Sequence, residues 1–383
     1  MKIFTQTCIA LIMTALSISV SANPCDEGGI GGTGIPLSRG IGGTGNTANT
    51  SAGIGGTGIT SVQEGIGGTG VTNTQKGIGG TGLEADSGIG GTGIVGIITG
   101  FGSICVNNLE IHYYSDTPVD VDGKQISSEA LSIGQVVAVR AHGKEQSLVA
   151  HEIHAFHQIT GPITAIDVPA KKIKVMGQLV NANEAQISNM QVGQWVSVSG
   201  LRNDDGNIEA SRIDQSTEGK VARMVGNLSI QGNKMYVGST KIDGVSKING
   251  NSNADTRLSG VWNGNSFNVK EIKPGPVSDL LQKVEVFHVQ GIAGNNASNG
   301  QVKLSGQNLA VTSNTKVVGN TPANMLGKPV VVHGQVKDGK ATAQSIELRP
   351  MKNEFKNRKD HQESRPQSKP SRESGEKESI KGN

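Results

Sequence analysis

From Val95 onward, apolar and polar residues alternate with period two in short runs separated by glycine and polar turns, the pattern of half-buried strands. One arrangement recurs: a glycine, an alternating apolar run, a polar turn and a closing run. It reads Gly134-Gln135-Val136-Val137-Ala138-Val139, then Ala150-His151-Glu152-Ile153. It returns at Gly193 to Ile213, in a worn form at Leu258 to Ile272, and at Gly327 to Ile346. Asp205-Gly206, Asn263-Gly264 and Asp338-Gly339 fall between the paired runs, where positive φ suits a hairpin turn. Each unit opens on a glycine-bounded strand, as in Gly96-Ile97-Ile98-Thr99-Gly100 or Ile159-Thr160-Gly161-Pro162-Ile163.

The spacing predicts four tandem modules, at 95–157, 158–216, 217–275 and 284–349, each of about 60 residues. Such units bury too little surface to be secure alone, and they gain by closing into barrels and packing on neighbours. The expected fold class is therefore all-β: about four small OB-like β-barrels in tandem, preceded by a glycine-rich arm and followed by a polar tail.

The two ends differ from this body. Lys2, the apolar run from Cys8 to Val20 and the small residues Ser21 and Ala22 form a secretory signal, residues 1–22, with cleavage expected after Ala22. No later run reaches the ~20 apolar residues of a spanning helix, so no transmembrane segment is expected in the mature chain. Residues 23–94 form an arm holding six copies of Gly-Ile-Gly-Gly-Thr-Gly, starting at Gly29, Gly40, Gly53, Gly65, Gly77 and Gly88. Its spacers are polar, and four glycines per copy lose much backbone entropy on ordering, so a flexible arm is expected, with a stacked solenoid as the alternative. Residues 350–383 carry nine Lys or Arg and six Asp or Glu, with almost nothing apolar after Phe355, the composition of a disordered charged tail.

Thr99-Gly100-Phe101-Gly102-Ser103-Ile104-Cys105-Val106-Asn107, Val119-Asp120-Val121-Asp122-Gly123 and the Gly134 to Ile153 element together resemble an exported bacterial family known as domain of unknown function 5666. GIGGTG segments ahead of such domains fit the same resemblance, which is closest in the first two modules. It implies a barrel-like all-β fold. It implies no activity, so it carries over no functional residues.

Candidate chemistry is sparse. Each glycine hexapeptide matches the dinucleotide fingerprint G-x-G-x-x-G, but none follows a hydrophobic strand or opens a helix, so no nucleotide cofactor is expected. Asp120-Val121-Asp122-Gly123 and Asn203 to Asn207 lack the alternating ligands of a calcium loop and read as turns. His151, His154 and His157 form the candidate metal cluster. Their spacing of three does not suit a zincin helix, and on a regular strand His151 and His154 point to opposite faces, with His157 about 20 Å from His151. Surface or rim positions are the competing reading. Once Cys8 leaves with the signal, Cys25 and Cys105 remain. They either form a disulfide around the arm or stay apart, Cys105 buried and Cys25 free.

The net charge of +3 resides in the tail, which leaves the body near neutral and removes the basic face that nucleic acid needs. Two Trp, three Tyr and six Phe are few for a stacking platform, and Tyr113-Tyr114 is the one local aromatic group expected at the surface. No nucleophile elbow is present, and no enzyme is expected. The expectation is a non-catalytic, exported binding or scaffolding protein of the cell envelope or extracellular space, with no cofactor, no nucleic acid and an unknown envelope or extracellular partner. The alternative is a periplasmic metal-handling protein using the histidines of the first module.

Overall fold

The computed structural model describes Cys25 and residues 91–351, apart from 144–146, 217–220, 246–253, 295–299 and 319–321. The signal, the arm's repeats up to residue 90 and the tail lie outside the described residues. The first module holds β1 (Thr92–Gly100), β2 (Ile104–Val106), β3 (Leu109–His112), β4 (Val119–Val121), β5 (Lys124–Gln125), β6 (Val136–His142) and β7 (Leu148–Phe156). The second holds β8 (Ile159–Asp167), β9 (Lys172–Val175), β10 (Gln178–Asn181), the short helix α1 (Glu184–Ile187), β11 (Trp195–Arg202) and β12 (Ile208–Gln215). The third holds β13 (Ala222–Gly226), β14 (Leu228–Gln231), β15 (Lys234–Val237), β16 (Thr240–Asp243), β17 (Thr256–Trp262) and β18 (Phe267–Pro274). Helix α2 (Pro276–Leu281) leads to the fourth: β19 (Val286–Gly294), β20 (Gln301–Leu304), β21 (Gln307–Ala310), β22 (Lys316–Val318), β23 (Pro329–Lys337) and β24 (Lys340–Leu348).

One topology serves all four. In the first barrel β1 pairs antiparallel with β2 and β6, β2 with β3, β6 with β7, and β3 closes on β7 in parallel. The order 1-2-3-5-4-1, with the third strand parallel to the fifth, is that of a closed OB-like barrel. The second barrel repeats it through β10 parallel to β12, the third through β16 parallel to β18, and the fourth through β21 parallel to β24. The first strand begins at Thr92, inside the sixth glycine hexapeptide.

Two local devices recur. The hairpin between second and third strands is tight, and it uses positive φ at Asn107 and Asn108, Met176 and Gly177, Gly238, and Ser305 and Gly306. The fourth strand faces a bulge in the fifth, where the register shifts after Arg140, Ser199, Ser259 and His333. Gly200, Gly260 and Gly334 stand there because a Cβ would lie 2.1–2.2 Å from a carbonyl oxygen of the facing strand. The residues skipped by the pairing are His151, Ser211, Lys270 and Gln344.

The barrels are fused rather than strung. Barrel 1 joins barrel 4 through a parallel pairing of β1 with β19, from Thr92↔Val286 to Val95↔Val289. Barrel 2 joins barrel 3 through β8 and β13. Among the described residues the result is one 13-stranded and one 11-stranded sheet. Barrels 2 and 3 share a continuous core that runs from Ile159, Met176 and Val198 to Met224, Leu258 and Phe267. Pairing between barrels satisfies backbone groups that separate units would leave at open edges.

Buried polar groups seal the junctions. Arg202 donates to Gln178 Oε1 at 2.6 Å, Gly206 O at 2.6 Å and Gln158 O at 3.1 Å; burial pushes its guanidinium down to about 10. Ser211 Oγ donates to Gly134 O at 2.5 Å between barrels 2 and 1, and Asn227 Nδ2 to Gly306 O at 2.8 Å between barrels 3 and 4. Helix α2 has glycine at its N-cap and no side chain of its own to cap it. Asp255, 3% exposed, supplies the acceptors instead, taking Val277 N at 3.2 Å, Ser278 N at 2.9 Å and Gln307 Nε2 at 2.7 Å.

Candidate functional site

The bulge at His151 decides where the histidines of barrel 1 go. Regular alternation would put His151 and His154 on opposite faces, but the extra residue resets the phase: Leu148, Ala150, Ile153 and Ala155 are buried, while His151 is exposed and Glu152 and His154 are half-buried. His151 neighbours His142, whose imidazole is held below its usual range by burial and by the charge of His151. His154 Nδ1 contacts Asp120 Oδ2, brought beside it by the parallel pairing of β4 with β7. His157 lies just past β7, with its N–H 3.0 Å from Asp122 Oδ1 and its Nδ1 2.8 Å from Asp122 Oδ2. The three histidines thus make separate contacts, and no group of three or more metal-holding side chains occurs among the described residues.

Asp122 and Gly123, with φ of 52° and 88°, form the two-residue turn between β4 and β5, as the turn reading of that segment expects. Left-handed backbone at Asp122 turns its carboxylate back towards His157. Burial opposes ionisation of Asp122, but the hydrogen bonds and charge of His157 outweigh it and lower the carboxyl.

His154 and Asp120 line a cleft of about 220 Å³ where barrel 1, barrel 3 and α2 meet. Glu152, Arg257, Asp279 and Lys283 supply its other charges, with Ala138 and Leu280 among the apolar lining. Charge alternates across it: Arg140 Nε is 2.8 Å from Glu152 Oε1, and Glu152 Oε2 is 3.5 Å from His154 Nε2, while Asp120 holds the other ring nitrogen. Lys283 Nζ is 2.7 Å from Asp279 Oδ2. The hydrogen bond to Asp120 raises His154 above the usual imidazole range against the pull of burial, and the charges of Asp120 and Glu152 add to it. Burial opposes ionisation of Asp120 in turn, but His154, the Gly123 N–H at 2.8 Å and Arg257 hold it low. Each ring nitrogen of His154 thus faces a carboxylate, Asp120 at Nδ1 and Glu152 at Nε2.

Cys25 and Cys105 are joined by a disulfide, with Cα atoms 5.5 Å apart. Cys105 sits in β2 opposite Gly100 of β1. The chain between Cys25 and Thr92, which contains the glycine hexapeptides, therefore leaves from and returns to the same barrel. Tyr113 is 6% exposed and packs in the core of barrel 1, so it does not form the surface aromatic group expected with Tyr114. Trp195 and Trp262 pack against the shared core of barrels 2 and 3.

Residues 92–154, 160–214 and 289–347 match the family model described as Domain of unknown function (DUF5666). Three of the four barrels belong to the DUF5666 family. The third lies outside the matched segments, yet it has the same strand order and the same bulge as its DUF5666 neighbours. No curated protein and no solved structure matches the chain.

Proposed function

We propose that this DUF5666 protein is a non-catalytic binding or scaffolding protein, exported to the cell envelope or extracellular space. The observation that carries the reading is the double anchoring of the repeat segment. The Cys25–Cys105 bond and the start of β1 hold both of its ends on barrel 1, and barrel 1 is in turn fused to barrel 4. A rigid body that holds a repetitive segment at both ends suits display of that segment to a partner. The disulfide supports export, since such bonds persist in oxidising compartments.

The test is capture from envelope extracts with three forms of the mature protein: intact, Cys25→Ser, and lacking residues 29–90, which spares the strand beginning at Thr92. A partner retained by the intact form and lost from the deletion supports the reading. Identical captures by all three forms contradict it.

A further inference from the structure

Barrel 4 contains a histidine pair that lies 45 residues apart in sequence and directly opposite in register. On β19, Phe287 and Val289 belong to one face by strand period, and His288 and Gln290 to the other. Gln290 Oε1 accepts from Ile97 N of β1 at 3.0 Å, and Asn107 Nδ2 of barrel 1 donates to the carbonyl of His288 at 3.3 Å. This part of β19 is therefore held by the fusion of barrels 1 and 4. The antiparallel ladder sets His288 against His333 of β23. Their rings are perpendicular, with centroids 4.4 Å apart, and Nδ1 faces Nδ1 in direct contact. His288 is 2% exposed and His333 is half-buried, which leaves approach from the His333 side.

We propose that His288 and His333 form a cross-strand chelate for a borderline transition-metal ion, with Cu²⁺ as the preferred occupant. Directly opposed strand residues hold their Cβ atoms ~4.5–5.5 Å apart, so two imidazoles on such a pair reach one ion without backbone change. Metal–nitrogen bonds of ~2.0–2.1 Å need only a small parting of the two rings. Imidazole nitrogen suits copper, nickel and zinc, and among divalent ions the general affinity order places Cu²⁺ highest. Among the described residues no group of three or more His, Cys, Asp or Glu gathers, so the proposed site is a two-histidine chelate. Binding moves one Nδ1 proton to the far ring nitrogen or to solvent and involves no redox step.

The test is calorimetric titration of the mature protein with CuCl₂ in a non-coordinating buffer, beside His333→Gln, His288→Gln and His151→Ala. The chelate predicts a Cu²⁺ site in the wild type and in His151→Ala, weakened roughly tenfold or more in His333→Gln and His288→Gln. His333→Gln, at a half-buried position, guards against loss of fold. As a second readout, Cu²⁺ raises the unfolding midpoint of the wild type and not that of His333→Gln, because an ion that binds only the folded state stabilises it by mass action. Wild-type binding no tighter than millimolar, or undiminished wild-type affinity in both strand-histidine variants, overturns the proposal.

Discussion

Asp255 gives the sharpest prediction about how the barrels hold together. Its carboxylate caps α2 from outside the helix and takes the amide of Gln307, so one side chain ties barrel 3, the linker helix and barrel 4. Leu280 of that helix lies against Gly93 of barrel 1, where an added Cβ would be 3.0 Å from its side chain. Asp255→Ala strands three donors in a site that water does not reach. Loss of an N-cap costs ~1–2 kcal/mol, and an unsatisfied buried amide adds ~1–2, which together give about 3 kcal/mol. Relief of the carboxyl's own burial, which pushes its ionisation upward, keeps the figure from reaching the top of that sum. For a body of this size the unfolding entropy is about 0.5 kcal/mol per kelvin, so the midpoint should fall by about 6 °C. The assay is scanning calorimetry at neutral pH, with Asp279→Ala as an exposed control on the same helix. Asp255→Asn should also lose stability, because its amide places N–H groups against Val277 N–H or Ser278 N–H. A shift below 1 °C for Asp255→Ala, or one equal to that of Asp279→Ala, would refute the reasoning.

Three further outcomes are expected. The raised His154 stabilises the fold fully below its unfolded value near 6.5 and loses that contribution as pH rises through the folded value, while the lowered Asp120 contributes above 3.8 and loses it on acidification. The stability gap between wild type and His154→Asn should therefore be widest between pH 3.8 and 6.5 and should shrink above it; a gap that is flat with pH counts against the pair. Arg202→Ala leaves Gln178 Oε1 and Gly206 O without the guanidinium, while Gln158 O keeps the Val225 N–H at 3.0 Å, and urea unfolding should show a loss of about 2 kcal/mol; an unchanged midpoint would show the junction does not depend on it. Peptide mapping without reductant should recover Cys25 and Cys105 in one linked species that separates on reduction, and free thiols at both positions would remove the anchoring on which the display reading rests.

The barrels were legible because period-two alternation survives in all four copies, and a glycine stands ahead of the fourth strand in three of them, at Gly134, Gly193 and Gly327. The bulges were not. A skipped residue costs the pattern one position, and at His151 that single position changes which side chains share a face with His154. Helix α2 escaped because six residues are too few for a helical period, and its cap, Asp255, lies 20 positions before its N-cap Gly275. The fusion of barrel 1 with barrel 4 rests on four paired positions of ordinary strand composition, which carry no partner label in the chain. For the same reason His288 and His333, each unremarked in an apolar run, become a pair only once the register is known; their matching positions, in the first and fourth strands of one module, were the available signal.

The fusion of the barrels into one body is the central claim, and zero-length carbodiimide cross-linking tests it directly. Asp204 of barrel 2 and Lys303 of barrel 4 are separated by 99 positions in sequence, yet their side chains stand 3.1 Å apart. Mass spectrometry of the digested mature protein should find an Asp204–Lys303 isopeptide alongside the local Asp279–Lys283 link. Recovery of the local link without the Asp204–Lys303 link would contradict the fused arrangement and leave four barrels on a string.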